Sequence, residues 1–164
     1  MIPDGNIRRA TLADAHLLAE LNKAIQKIHA DAYPYLFKQP DNFAEFVADF
    51  ETRVLRDVDG FVLIIEAEQQ AVGYIYARSV TRPENAYIHE QKLMQVDSIS
   101  IQPAYQNKGY GKMLMNAVRD EAIAQGIRRV SLDTYEFNAN AQQFYAKMGF
   151  GRMKIQLTLD LNQQ

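Results

Sequence analysis

Cysteine is absent from this 164-residue chain. The absence excludes disulfide bonds, thiolate metal sites and a thiol nucleophile. It also fits a cytoplasmic protein, which is the location that we expect, because disulfides belong to oxidising compartments. A covalent intermediate on sulfur is therefore not available to whatever chemistry the chain performs.

Long apolar runs and an excess of one charge are missing too. No stretch of about 18 consecutive apolar residues exists, so no segment is expected to span a membrane. The first residues, MIPDGNIRRATLADA, contain no apolar segment of signal-peptide length. The formal net charge of -2 argues against a protein that binds nucleic acid through its overall charge. We therefore expect neither a membrane nor a nucleic acid as a partner.

Metal ligands are scarce as well. Without cysteine, a transition-metal site would depend largely on the three histidines, His16, His29 and His89. They do not form a cluster at metal-ligand spacing, so we predict a protein without a metal ion.

What is present is the composition of an ordinary globular domain. The chain is 48% hydrophobic and 23% charged, and its length suffices for a single core. No repeat, low-complexity segment or linker divides it, so we predict one domain over residues 1–164. Hydrophobic periodicity gives the element order β-α-α-β-β-β-α-β-α-β. This order predicts an α/β (α+β) fold with a mixed, largely antiparallel sheet and helices on both faces.

Local signals mark several of these elements. Thr11 followed by Asp14 is typical of a capping box at the start of a helix, and Asp41 is expected to cap a second helix. Two β-branched runs flank residues 68–70 and predict a hairpin. The last run, MKIQLTLDL over residues 153–161, is apolar at alternate positions and predicts a final strand. Two readings of this strand stay open: an inner position in the sheet, or pairing across a homodimer.

The stretch QNKGYGK, residues 106–112, lies between a predicted strand and a predicted helix. Glycine accepts positive φ and lets a ligand approach the backbone, and successive N–H groups in such a turn bind anions. The following helix adds its N-terminal partial positive charge, and Lys108 and Lys112 add two full charges. The stretch therefore suits a di- or polyphosphate. The alternative is a plain corner of the fold with two exposed lysines.

Two well-known phosphate motifs do not fit the stretch. The Walker motif needs Ser or Thr after its lysine, but Met113 follows Lys112. The dinucleotide motif G-x-G-x-x-G lacks its third glycine, because Leu114 stands there. The loop alone therefore does not identify its ligand.

A second motif about thirty residues further on completes a family pattern. Gln106-x-x-Gly109-x-Gly111 resembles the Q/R-x-x-G-x-G/A signature of the GCN5-related N-acetyltransferases (GNAT). NANAQQFYAKMGF, residues 138–150, is similar to the downstream motif of the same family. The element order agrees as well, and the resemblance extends over most of the chain.

The resemblance implies acetyl-coenzyme A as the acyl donor and a GNAT-like sheet of six to seven strands with a splayed central strand pair. Backbone N–H groups of the loop would hold the pyrophosphate, and the strand before the loop would pair with the pantetheine arm. Asn138 would bond that arm, and Tyr145 would lie near the thioester sulfur. The implied cofactor-binding residues are Ile99, Ser100, Ile101, Gln106, Asn107, Lys108, Gly109, Tyr110, Gly111, Lys112, Asn138 and Tyr145.

Acetyl transfer to an amine needs a neutral amine and a stabilised leaving thiolate. Tyr145 is the candidate acid for the thiolate, with a plain core aromatic as the alternative. Asp97 and Glu90 are candidate bases that would take a proton from the amine. For Asp97 the alternative is a solvated strand edge or a structural salt bridge, and a water chain could replace either carboxylate.

The acceptor pocket is predicted in the loop after the first helix, at His29, Tyr33, Tyr35 and Phe37. Aromatic rings near a carboxylate, Asp31, suit a cationic amine; the alternative is that the rings cap the core. The predicted function is an N-acetyltransferase acting on a small-molecule or peptide primary amine by direct attack. Two alternatives are a non-catalytic acyl-CoA-binding or sensor domain and an acyltransferase with a longer acyl donor.

Overall fold

A computed structural model describes residues 4–161 of the chain, in two units that divide after Asp133. The strands of the first unit form one sheet in chain order, antiparallel except for its last pair, which is parallel. The strands are β1 (Asn6–Arg9), β2 (Gly60–Ala67), β3 (Gln70–Arg82), β4 (Gln91–Ile101) and β5 (Val130–Leu132). The helices are α1 (Ala15–Ala32), α2 (Phe43–Asp49) and α3 (Tyr110–Ala124) in the first unit and α4 (Ala139–Lys147) in the second.

Helices cover both faces of the sheet. Val62, Ile64, Tyr74 and Tyr76 point to one face, where they belong to the same core cluster as residues of α1. The residues between them point to the opposite face, because successive side chains of a strand alternate, and they are buried as well. Helix α3 lies against β2, β3 and β4 and covers that second face. The α/β fold with helices on both faces is thereby confirmed.

The prediction of a final strand over residues 153–161 is wrong. The structure assigns no strand there, and every one of these residues is exposed. Within residues 4–161 the sheet therefore has five strands instead of six to seven. A β-strand needs a neighbouring strand whose backbone groups pair with its own. In the described part of the chain, no strand pairs with this segment.

Helices α1 and α2 lie between β1 and β2 in the chain. A short 3-10 turn, Leu12–Asp14, leads into α1. Helix α2 begins after Asn42 and not after Asp41 as predicted, and it continues into a π-helical turn, Phe50–Val54. No helix in the described residues is both long enough and apolar enough to cross a membrane.

An ionic cluster fixes the start of α1. The Thr11 N–H donates to Asp14 Oδ2 at 2.7 Å, which confirms the predicted capping box. Arg8 donates to both carboxylate oxygens of Asp14, at 2.8 and 3.0 Å, and to Glu66 Oε1 at 2.6 Å. These hydrogen bonds from Arg8 hold the pKa of Asp14 below its ordinary value. The cluster therefore ties β1, β2 and the beginning of α1 together.

Replacing Asp14 by Asn removes the charge and keeps the shape of the side chain. We expect Asp14→Asn to lower the free energy of unfolding at pH 7 by about 1 kcal/mol, as a partly exposed, hydrogen-bonded ion pair contributes. The contribution of a carboxyl with a lowered pKa is present above its ordinary value of 3.8 and is lost as the pH falls through the folded value. Urea unfolding should therefore show the difference shrinking below pH 3.8.

Asp120→Asn is the control for this prediction, because Asp120 is an exposed carboxylate on α3. Its replacement should leave the free energy of unfolding nearly unchanged both at pH 7 and below pH 3.8. A difference between Asp14→Asn and the parent that persists undiminished at pH 2 would show that the ion pair is not its cause.

Candidate functional site

Residues 106–109 form the turn that precedes α3, and residues 110–112 belong to the first turn of that helix. Asn107 and Gly109 adopt positive φ values of 60° and 97°, and Gly109 is the N-cap residue of α3. The first helical i to i−4 hydrogen bond of α3 is made by the Met113 N–H, which donates to Gly109 O at 3.1 Å. Within the described chain, the backbone N–H groups of residues 107–112 have no acceptor. Six consecutive donors at the positive end of a helix are therefore available to an anion.

The entrance to this turn is anchored to the β2–β3 hairpin. Tyr105 is buried, and its hydroxyl donates to Glu68 Oε2 at 3.0 Å and accepts from the Gln70 side chain. The Tyr105 ring also packs edge-on against Tyr110 at a centroid distance of 6.1 Å. Lys108 Nζ lies 5.0 Å from the centre of the Tyr105 ring. The turn is thus held in place before any ligand arrives.

Strands β4 and β5 pair over three residues only, ending with Val96 opposite Leu132. Strand β4 itself continues to Ile101 beside β3. In the described sheet, residues 97–101 therefore have a strand on one side and an open edge on the other. This opening is the splayed strand pair that the family resemblance implies.

Asp97 is a bulge residue at the point where the opening starts. Its neighbours Val96 and Ser98 pair with the consecutive residues Ala77 and Tyr76 of β3, so Asp97 has no counterpart in the ladder. An inserted residue of this kind bends its strand. The bulge therefore accounts for the divergence of β4 from β5.

The main chain of Ile99 faces the opening. The Gln102 N–H donates to Val72 O on β3 at 2.8 Å. Because adjacent residues of a strand direct their backbone groups to opposite sides, Ile99 and Ile101 direct theirs away from β3. The Gln106 side-chain amide donates to Ile101 O at 3.0 Å, so that carbonyl already has a partner. The backbone groups of Ile99 are thus left at the open edge.

A buried hydrogen-bond cluster supports this stretch of β4 from the side of α1. Tyr74 is 1% exposed, its hydroxyl donates to Asn22 Oδ1 at 2.8 Å, and it lies 2.7 Å from Ser98 Oγ. Ser100 Oγ donates to Leu21 O at 2.7 Å. Burial raises the pKa of Tyr74, so its hydroxyl keeps its proton.

Sequence reasoning missed Asn22, Tyr74 and Ser98 as members of this cluster. The available signal was the pair of serines, Ser98 and Ser100, at alternate positions next to the apolar residues Ile99 and Ile101. Buried hydroxyls need hydrogen-bond partners, so the serines predict a polar neighbour. They do not say which residue of another element supplies it.

The two predicted bases lie at different places along β4. Asp97 accepts from Arg78 Nε at 2.6 Å, which matches the salt-bridge alternative. Glu90 is exposed and precedes the strand. The two residues are seven positions apart, so at the rise of an extended strand their carboxylates are separated by roughly 20 Å. Both therefore cannot act on one substrate atom. Of the two, only Asp97 borders the opening.

The four residues predicted for the acceptor pocket gather at the end of α1. His29 and Phe37 have ring centroids 4.9 Å apart, and Tyr33 and Tyr35 have theirs 5.9 Å apart. Backbone hydrogen bonds from Tyr33 to His29 and from Phe37 to Tyr33, each 2.9 Å, join the two pairs. Tyr35 is 82% exposed, so its ring does not cap the core.

Asp31, the carboxylate of that loop, is already paired. Lys27 Nζ lies 2.6 Å from Asp31 Oδ2, and Gln39 donates to the other oxygen at 3.0 Å. Hydrogen bonding to Lys27 lowers the pKa of Asp31, so it is a carboxylate at neutral pH. Among residues 4–161, no three His, Asp or Glu side chains gather as metal ligands would.

The second unit carries the two remaining predicted residues on α4. Asn138 is the N-cap, and its Oδ1 accepts from the Ala141 N–H at 3.1 Å. The Tyr145 ring packs against Phe144 and Phe150 at centroid distances of 5.3 and 5.8 Å. Burial raises the pKa of Tyr145 to about 12. Its hydroxyl therefore stays protonated throughout the usual pH range.

Comparison with known proteins gives a family match over most of the chain. The model of the acetyltransferase (GNAT) family matches residues 22–150. A mycothiol acetyltransferase from Actinosynnema mirum is 25% identical over 131 residues, which cover 80% of this chain and 41% of the relative. The chain spans less than half the length of three curated relatives that it matches, from 24 to 42%.

Solved structures share the fold. A tetramutant of the BH1408 protein from Bacillus halodurans superimposes with a TM-score of 0.85 at 22% identity, over 95% of this chain and 99% of that one. The aminoglycoside N-acetyltransferase AAC(6')-Iy in complex with CoA gives 0.72 at 18% identity, over 97% and 95%. At such identities the similarity establishes the fold alone.

The Tyr74 cluster generates a stability prediction. Tyr74→Phe leaves Asn22 and Ser98 without their shared partner in a buried site. We expect a loss of about 1–3 kcal/mol in the free energy of unfolding, measured with urea. Tyr110→Phe is the matched control: its ring is also buried, and its hydroxyl has no hydrogen bond within the described residues. Equal losses for the two variants would mean that the cluster contributes nothing.

Proposed function

Because the chain belongs to the acetyltransferase (GNAT) family, we propose that it transfers an acetyl group from acetyl-CoA to a primary amine. One observation carries the proposal. A turn with six unbonded backbone donors follows directly on a strand with an open edge. Coenzyme A combines a pyrophosphate with an extended amide arm, and so suits both features at once.

Each part of the cofactor has a proposed counterpart in the chain. The pyrophosphate would accept from the N–H groups of residues 107–112, with Lys108 and Lys112 adding positive charge. The pantetheine arm would add to the edge of β4 at residues 99–101, as an extended peptide adds to a sheet. Asn138 caps α4 with its oxygen, so its amide N–H groups would serve the arm. The CoA complex of the structural neighbour AAC(6')-Iy supports this cofactor.

The proposed reaction is a direct attack in a ternary complex. The neutral amine nitrogen attacks the thioester carbonyl carbon, the C–S bond breaks, and the electron pair leaves on the sulfur of CoA. The amine loses one proton and the thiolate gains one, with Tyr145 as the donor to sulfur. An ammonium of pKa about 10.4 is neutral in only about one molecule in 2,500 at pH 7. Asp97, Glu90 or a water chain would remove the ammonium proton and so supply the neutral amine.

The acceptor is proposed as a small-molecule or peptide amine bound at His29, Tyr33, Tyr35 and Phe37. The names of relatives and structural neighbours refer to different compounds: mycothiol, a ribosomal-protein alanine and aminoglycosides. They support an amine acceptor as a class without selecting one. A cytoplasmic location stays a prediction of the sequence. A non-catalytic CoA-binding role and a longer acyl donor stay alternatives to the proposed activity.

Acetyl-CoA binding is the first test. Gly109→Glu places a bulky anion at a left-handed position of the turn, so we expect calorimetric titration to show acetyl-CoA binding weakened at least about 100-fold. Gly126→Glu is the matched control. It adds the same charge at another positive φ, 69°, with no atom within 4 Å of the new Cβ, and should bind like the parent. Folded parent protein that binds no acetyl-CoA would overturn the proposal.

Turnover separates an enzyme from a binding domain. Tyr145→Phe should lower kcat by about 10²-fold or more in a thiol-release assay, while acetyl-CoA affinity stays within about twofold. Because the pKa of Tyr145 is raised to about 12, the ratio between parent and variant should stay constant from pH 7 to 10.

Tyr87→Phe is the control for this experiment, since Tyr87 is 95% exposed and should change neither quantity. Binding of acetyl-CoA by the parent without thiol release for any amine would favour the binding domain. Mass spectrometry of the product would identify a longer acyl group.

A further inference from the structure

Arg78 is attached to the bulge of β4 by one side of its guanidinium only. It follows Tyr74 and Tyr76 at alternate positions of β3, so it lies on the sheet face that packs against α1. Its Nε donates to Asp97 Oδ2 at 2.6 Å. Within residues 4–161 the two terminal nitrogens of Arg78, Nη1 and Nη2, have no acceptor. A pair of charged donors is therefore left over beside the opening.

A second arginine lies near the same carboxylate. Arg53 belongs to the π-helical turn after α2, a kind of turn that is common at functional sites. Its Nε and Nη2 donate to the two oxygens of Asp49 at 2.7 and 2.6 Å, and its Nη1 has no acceptor in the described chain. The hydrogen bonds to Asp49 raise the pKa of Arg53, and the charge of Asp97 adds to this shift. Both arginines are thus within electrostatic range of Asp97.

A third carboxylate gives this group of side chains an excess of one negative charge. Asp57 accepts from the Tyr76 hydroxyl at 2.5 Å and from the Asp59 N–H at 3.0 Å, and both donors are neutral. The carboxylates of Asp49, Asp57 and Asp97 therefore outnumber the two guanidiniums. The spare N–H groups favour an anion, whereas the excess negative charge favours a cation. A molecule that carries one charge of each sign satisfies both.

We propose that the acceptor is an amine that also carries a carboxylate, as an amino acid does, and that Arg78 binds this carboxylate through Nη1 and Nη2. Arg53 Nη1 is a second donor. The inference rests on the proposed acetyl transfer and specifies its acceptor. The planar guanidinium matches a carboxylate with two parallel hydrogen bonds. Because Asp97 already holds the Nε side, the guanidinium is oriented before the acceptor binds, which lowers the cost of binding.

The site adjoins the place of the proposed reaction. The opening between β4 and β5 begins at Asp97, and the thioester would lie along it at Ile99. Arg78 is bonded directly to the bulge residue, so a carboxylate on its free side lies close to the thioester. An amino acid, in which a short carbon chain joins carboxylate and amine, fits this separation. A phosphate dianion suits the site less, because three carboxylates repel its second charge.

Matched acceptors test the inference in a thiol-release assay with the full chain and acetyl-CoA. Each member of a panel of α- and ω-amino acids is compared with its amino alcohol, which replaces the carboxylate by CH₂OH and leaves the amine similarly basic. We expect kcat/KM to be at least about tenfold higher for the accepted amino acids, as a charge-assisted hydrogen bond contributes.

Two results with the parent protein would overturn the inference and leave the proposed acetyl transfer intact. One is that amino alcohols are acetylated as well as the amino acids or better. The other is that phosphoethanolamine, an amine with a phosphate, is preferred to every amino acid. Absence of turnover with every amine would refute the acetyl transfer and the inference together.

Arg78→Gln removes the charged fork and keeps a side chain that can still donate to Asp97. We expect kcat/KM for amino acids to fall at least about tenfold, mainly through KM, whereas kcat/KM for the amino alcohols stays within about twofold. Arg53→Gln should give a smaller loss of the same kind, because only its Nη1 is free. Equal losses for both classes of acceptor would show that Arg78 has a structural role only, and would refute the inference.

Arg82→Gln is the matched control. It removes the same charge from the same face of β3, four positions or roughly 13 Å from Arg78, which is beyond the screening length of about 8 Å at physiological salt. It should leave the preference for amino acids unchanged, and a loss equal to that of Arg78→Gln would refute a specific contact. Calorimetry should show acetyl-CoA affinity within about twofold of the parent in all three variants, so a defect of the cofactor site is distinguishable.

Discussion

One inserted residue in β4 organises the first unit. The Met94 N–H donates towards β5, to Arg129 O, whereas the Gln102 N–H donates towards β3, to Val72 O. The two residues are eight positions apart, an even number, so an unbroken strand would direct both N–H groups to the same side. The bulge at Asp97 reverses the alternation between them. It thereby ends the pairing with β5 and turns the backbone of Ile99 towards the opening.

A bulge of this kind leaves a strand edge that needs support from elsewhere, and the structure supplies it on two sides. Ser98 and Ser100 are bonded to Tyr74 and to the backbone of α1, and Asp97 is paired with Arg78. Gly73 lets β3 approach closely, because a Cβ there would lie 2.6 Å from Ser100 O. The edge is thus held rigid without a ligand, which lowers the cost of ordering it on binding.

The sequence predicted those parts whose causes are local. The capping box at Thr11, the hairpin at residues 68–70 and the helix after Gly109 each depend on a few consecutive residues, and all three are found. The bulge was not predictable in this way. Asp97 is unpaired in the sheet because the register between β3 and β4 shifts at this point. No pattern within the sequence of β4 encodes that shift. The partners of Ser98 were missed for the same reason.

Residues 153–161 show a different limit of sequence reasoning. Their alternation correctly indicates a segment with one apolar face, yet the strand assignment fails because no described strand adjoins it. Periodicity states that a segment requires a neighbour, and it does not state which chain provides that neighbour.

The raised pKa of Tyr145 constrains the proposed reaction. A phenol of pKa about 12 gives its proton to a thiolate of pKa about 8.5 at a cost of about 5 kcal/mol. Full transfer from tyrosine alone is therefore unfavourable. The step becomes favourable when the proton released by the attacking amine returns to the tyrosine oxygen as its own proton moves to sulfur. Tyr145 would then act as a relay that ends the turnover protonated, consistent with a site where burial keeps the hydroxyl neutral.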